Sequence, residues 1–239
     1  MIPIKDTIPS RTYPIVTISL IAVNSVLFLF ENFLGPHLNE FIFAYGVIPA
    51  KYFHLGEVAK WDLVDRFLPL FTSIFLHGGW FHLIGNMIYL WIFGDNVEDM
   101  MGHLKYLIFY LLCGISANYA HIYTNASSLM PTIGASGAVA GVMGAYLILF
   151  PRSKVWTLFP IFFFIQIIRI PAFALLGFWF LMQFFMGFFS LGVSPGLGSG
   201  VAWWAHIGGF ACGALLVFIF KKRKRKPMDY TDHYWPYWR

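Results

Sequence analysis

Hydrophobic residues in this chain come in long runs, and polar residues gather mainly between them. Six runs are apolar enough to be read as membrane helices. They predict helices at about Tyr13–Leu34, Trp80–Val97, Leu104–Tyr119, Ser136–Phe150, Pro171–Ser190 and Val201–Phe220. The first run lacks a small-residue cleavage site, so it reads as a retained helix rather than a removable leader. Between the first two runs, Glu40, Lys51, Glu57, Lys60, Asp62, Asp65 and Arg66 interrupt the pattern. Only the short pieces Phe41–Ala50 and Phe67–Leu76 are apolar there, and residues 35–79 predict an interface-hugging loop with short helices. Trp156–Ile168 is apolar but short and holds Pro160, so it reads as an interfacial or re-entrant segment. The expected fold class is all-α, a polytopic membrane bundle of six transmembrane helices.

Composition agrees with that pattern. Hydrophobic residues make up 59% of the 239 and charged ones only 11%, against about a quarter charged in a soluble domain. The expected organisation is a short cytoplasmic segment at 1–12, a membrane domain at 13–220 and a basic, aromatic cytoplasmic tail at 221–239. Cys113 and Cys212 lie inside apolar runs and read as core residues rather than a disulfide.

Charge adds an orientation. Six spans put both termini on one side. That side carries Lys5, Arg11, Lys105, Arg152, Lys154, Arg169 and the cluster Lys221–Lys226. The opposite side holds Lys51, Lys60 and Arg66, outnumbered by its acidic residues. The positive-inside rule therefore predicts cytoplasmic termini. The net charge of +5 follows from the tail cluster, which reads as a stop-transfer and lipid-surface anchor, with no nucleic-acid role.

This topology aligns the starts of the second, fourth and sixth helices at one depth. His77, His82 and Asn86 belong to the second, Ser136 to the fourth and His206 to the sixth. Ionisable groups at membrane depth are costly, and function is their default explanation. A serine hydroxyl becomes a nucleophile when a base takes its proton, and an imidazole is suited to that task. Ser136 and His206 are therefore the candidate catalytic pair, as a dyad without an orienting carboxylate. His206 would be held by packing and by an aromatic from a neighbouring helix. Their contact requires close backbones, and the small-xxx-small spacings Gly137/Gly141 and Gly209/Gly213 would allow them. The Asn86 amide, the His82 ring and the free N–H of Ser136 are candidate donors to an oxyanion, with Gly134 letting the chain curl.

Other readings stay open at this point. Ser136 can be a plain cap, and His82 with Asn86 can be structural hydrogen-bonders. His77, His82 and His206 could be zinc ligands, although that leaves Ser136 and the glycines unexplained. A transporter would predict polar residues at mid-depth in broken, repeated helices. No cofactor is expected.

Three motifs in order carry a resemblance to the rhomboid family of intramembrane serine proteases. They are His77-Gly-Gly-Trp-Phe-His82-Leu-Ile-Gly-Asn86, Gly134-Ala-Ser136-Gly137 and Ala205-His206-Ile-Gly-Gly209. The run Phe93-Gly-Asp-Asn-Val-Glu98-Asp also resembles the family's end to its second helix, and the likeness covers roughly residues 12–220. It implies a serine endopeptidase with Ser136 as nucleophile, His206 as base, and His82 and Asn86 on the oxyanion side. It implies transmembrane protein substrates that enter laterally, with the fifth helix and the 191–200 loop as gate and cap. Membrane lipids are the other expected partner, and a bacterial-type plasma membrane the expected location. A transporter or a non-catalytic rhomboid-like binder is the alternative.

Overall fold

The computed structural model describes residues 1–53, 63–161, 164–191 and 201–222. Helix α1 (Ile15–Phe33) leads into the long loop, which carries α2 (Leu38–Tyr45), α3 (Ala50–Phe53) and α4 (Leu63–Thr72). Then come α5 (Trp80–Met101), α6 (His103–Thr124), α7 (Ser136–Leu149), α8 (Ala172–Ser190) and α9 (Trp203–Phe220). All six expected apolar helices are thus present, and the loop has its short helices. Helices α1, α8 and α9 are each long and apolar enough to cross a membrane alone. The segment Val64–Phe75 passes that test jointly with α5, at a 78° bend. Outward-facing Phe30, Phe178, Phe188, Leu215 and Ile219 stay exposed, as lipid contact allows. The chain is an all-α polytopic membrane bundle.

Helix α7 is the axis of the bundle, and every residue from Gly137 to Tyr146 is buried. Its small side chains let two helices press against it. Gly137 faces Ala117 and Gly141 faces Cys113, both on α6. On the other flank, a methyl at Gly209 or Gly213 would collide with the Gly137 or Gly141 carbonyl. The sequence pairs the glycines of α7 and α9 with each other. In the structure Gly209 does pack on Gly137 and Gly213 on Gly141, and the same two α7 glycines also seat Ala117 and Cys113 of α6.

Helix α5 continues to Met101, four residues past its predicted end at Val97. The reason is Glu98, which is fully buried yet fully partnered. Its carboxylate accepts from the Val16 N–H (2.9 Å), the Thr17 N–H (2.8 Å) and the Thr17 hydroxyl (2.7 Å). It also pairs with His103 Nδ1 at 2.6 Å. A negative charge on the free N–H groups at the start of α1 is stabilised by hydrogen bonds and by the helix dipole together.

The segment Trp156–Ile168, expected as interfacial or re-entrant, is built of strands on either side of residues 162–163. It belongs to a three-stranded antiparallel sheet in the order β1 (Ile2–Asp6), β2 (Lys154–Ile161), β3 (Phe164–Pro171). The sheet adjoins the all-α bundle and takes up part of the 1–12 segment. Along β2, Val155 and Thr157 point inward and are fully buried, while Trp156 and Leu158 point outward. That alternation of period two is a strand pattern. Asp6 anchors β1 by accepting from the Tyr146 hydroxyl (2.6 Å) and the Asn96 amide (3.0 Å).

Candidate active site

The first turns of α5, α7 and α9 converge, as the sequence predicts. Ser136 is the first residue of α7, so its N–H has no partner within the helix. The chain reaches it through Gly134 at φ +134°, a conformation that favours glycine. The missing side chain also makes room for His82, since a Cβ at Gly134 would lie 2.7 Å from His82 Nε2. The His82 ring therefore lies against the turn that presents the serine.

The long loop holds this turn in place. Val47 and Thr132 exchange two backbone hydrogen bonds, at 3.0 and 2.7 Å, and the Gly134 N–H donates to the Ser73 carbonyl at 2.8 Å. From α6, the Asn118 amide donates to the Leu70 carbonyl (2.9 Å) and the Ser73 hydroxyl (3.0 Å). The serine thus rests on the loop as well as on the bundle.

His206 Nε2 lies 2.8 Å from Ser136 Oγ, although the two residues are 70 apart in the chain. Both are only partly buried, which leaves the pair open to a reactant. The other ring nitrogen, Nδ1, lies 2.8 Å from Gln183 Oε1 on α8. An amide oxygen only accepts, so Nδ1 carries the hydrogen and Nε2 keeps the lone pair that faces the serine hydroxyl. Trp179, one turn before Gln183, sets its ring 5.9 Å from the imidazole, and Trp203 approaches edge-on at 6.3 Å. The expected aromatic neighbour is present, and a neutral amide occupies the place of an orienting carboxylate. Gln183 is the residue that the sequence reasoning missed. Its signal was visible, as an amide in the middle of an apolar helix.

Asn86 is buried, and its amide nitrogen lies 3.1 Å from His77 Nε2. One of its two N–H bonds is engaged there, leaving the second for another acceptor. His77 in turn donates its backbone N–H to buried Glu31 of α1 at 3.3 Å. His77 therefore joins α1 to the Asn86 side of the site. One His77 nitrogen is committed to Asn86 and both His206 nitrogens are hydrogen-bonded, and among the described residues no three His, Cys, Asp or Glu side chains come together as a metal-ligand group. Asp62 and the 192–200 loop lie outside the described residues.

Helix α8 packs on α9 and α7, and no comparable packing joins it to α5 among the described residues. Its hold on α9 includes Trp204 Nε1 donating to the Gly187 carbonyl at 3.1 Å and a stack of Phe180 on Phe210 at 4.7 Å.

A family model described as the Rhomboid domain matches residues 64–223, about two thirds of the chain. The rhomboid-named protein YdcA of Bacillus subtilis is 29% identical over 221 residues, covering 90% of this chain and 93% of that protein. RHOMBOID-like protein 1 of Arabidopsis thaliana is 30% identical over 151 residues, 63% of this chain and 34% of that protein. Rhomboid protease GluP of Bacillus subtilis is 34% identical over 139 residues, 58% and 24% of the two chains. The chain thus spans about a third of the Arabidopsis relative and nearly all of YdcA. The matched region contains Ser136, His206 and the glycines that bring their helices together; the chain belongs to the rhomboid family.

Proposed function

We propose that this protein is an intramembrane serine endopeptidase that hydrolyses peptide bonds in or beside transmembrane segments of other membrane proteins. The observation that carries this reading is the 2.8 Å contact between His206 Nε2 and Ser136 Oγ. His206 takes the hydroxyl proton as Oγ attacks the scissile carbonyl. The resulting oxyanion is met by the Ser136 N–H, the remaining Asn86 N–H and His82. Collapse of the intermediate breaks the C–N bond, and His206 returns its proton to the leaving amine. Water, activated by the same imidazole, then releases the acyl group from Ser136.

Six spans with cytoplasmic termini remain the orientation we favour, with 1–12, 13–220 and 221–239 as segment, protease domain and tail. Helix α7 has 14 residues, or roughly 21 Å at 1.5 Å per residue. The hydrocarbon layer is about 30 Å thick. With the Phe150 end at the inner surface, Ser136 would sit about 10 Å below the outer one. A substrate helix must unwind there to expose a peptide bond, so helix-weakening residues near the cut favour cleavage. The weak packing between α5 and α8 supports lateral entry at that seam. Substrate helices and lipids are the proposed partners. The near full-length match to a Bacillus protein supports a bacterial-type plasma membrane.

The test is cleavage of a generic transmembrane substrate by purified protein, compared with Ser136→Ala and His206→Ala. Both variants should lose activity by several orders of magnitude, and a fluorophosphonate should label Ser136 only in the presence of His206. Wild-type turnover in both variants would refute the dyad. Absence of labelling and cleavage in folded wild type would favour a non-catalytic binder.

A further inference from the structure

We propose that the outward face of the three-stranded sheet, together with the groove between α1 and α5, is a binding site for one anionic phospholipid. The acyl chains lie in the groove, and the headgroup phosphate lies on Lys5 and Arg169. Strand register brings the two cations together, since Lys5 pairs with Trp156 and Trp156 with Arg169. These three residues form one cross-strand row. The Arg169 guanidinium lies 4.0 Å from the centroid of the Trp156 ring, and Lys5 Nζ lies 5.5 Å from it. The ring face attracts both cations without neutralising them. Neither has a carboxylate within ion-pair distance among the described residues. Asp6, next in the chain, points to the other face and is held by Asn96 and Tyr146.

The same face runs into an apolar groove. Ile2 pairs with Leu158, two residues along β2 from Trp156, so Ile2 and Lys5 share a side of the sheet. Ile2 and Ile4, both about half exposed, line a groove of about 790 Å³ with Ile21 and Leu29 of α1 and Met87 and Ile88 of α5. The groove lies on the outside of the bundle, where lipid chains are the available apolar partner. Strand β1 lines it near the end where Asp6 bonds Asn96. An occupant is therefore apolar along α1 and α5 and anionic at the level of Lys5 and Arg169. A phospholipid has that shape and charge order, whereas a spanning helix would have to continue past the basic row. An anionic leaflet draws basic residues to its surface.

The test uses the whole 239-residue chain, with its basic tail intact, delipidated in detergent. Binding of phosphatidylglycerol, phosphatidylcholine and glycerol phosphate is measured by native mass spectrometry and by thermal shift. Wild type should bind phosphatidylglycerol well above the other two. The double variant Lys5→Gln/Arg169→Gln should bind it about 30-fold more weakly, from about fivefold per cation at an anionic surface. Ile88→Trp, which fills the groove and leaves the sheet untouched, should weaken it as well. Lys5→Arg should retain affinity, which separates loss of charge from loss of the sheet. Unchanged affinity in both the double variant and Ile88→Trp would overturn the proposal. So would equal binding of phosphatidylcholine, and binding of glycerol phosphate as tight as that of the lipid would reject the lipid assignment.

Discussion

Gln183→Leu isolates the one polar contact that α8 contributes to the site. The substitution keeps the side chain's size and apolar stem but removes the acceptor 2.8 Å from His206 Nδ1. In the resting site this costs a neutral hydrogen bond. In the transition state the imidazole is protonated, and its Nδ1–H faces an apolar group instead of an oxygen. Hydrogen bonds to charged groups contribute about 1.5–3 kcal/mol, so kcat should fall about 10- to 150-fold. KM should change little, because the lost interaction forms with the histidine and not with substrate. The fold should survive, since Phe180–Phe210 and Trp204–Gly187 still hold α8 to α9. Gln183→Glu restores an acceptor and should recover a large part of the loss. The assay is steady-state cleavage of a transmembrane substrate in detergent micelles, alongside thermal unfolding. A folded Gln183→Leu protein with kcat within twofold of wild type would refute the orienting role. So would a loss confined to KM.

Other perturbations test the scaffold around the site. Glu98→Ala leaves the N–H groups of Val16 and Thr17 without their buried acceptor. Thermal unfolding should show a loss of about 3 kcal/mol or more, or roughly 6–12 °C in Tm. Gly209→Ala drives a methyl into the Gly137 carbonyl, one turn from the dyad. It should lower both Tm and kcat, and unchanged values of both would show that α7 and α9 are not in close contact. Gly177→Ala on α8 meets no atom within 4 Å, so it should stabilise the fold by about 0.5–1 kcal/mol through helix propensity alone. Gly134→Ala imposes strain at φ +134° and pushes on the His82 ring; cleavage should drop sharply while secondary structure by circular dichroism is kept.

The sequence by itself determined the six apolar helices and which of their ends hold the candidate site residues. Hydropathy is a local property, and an apolar run must close its own backbone hydrogen bonds in lipid. Alternation of successive spans predicts a common direction for the second, fourth and sixth helices, with Ser136, His206, His82 and Asn86 at matched helix starts. Partners set by packing were not legible in the same way. Glu98 reads as the polar end of a helix until α1 presents its N-terminus to it. Gly137 and Gly141 announce the close approach of α9 but not that they would seat α6 as well. Val155 and Thr157 alternate as a strand should, yet β1 lies at the far end of the chain, and its anchor joins residues 140 apart. Gln183 looked like an isolated amide until α8 docked it against His206. Only the tertiary structure decided these pairings, because a hydrogen bond or a collision between backbones depends on distances that the order of residues does not contain.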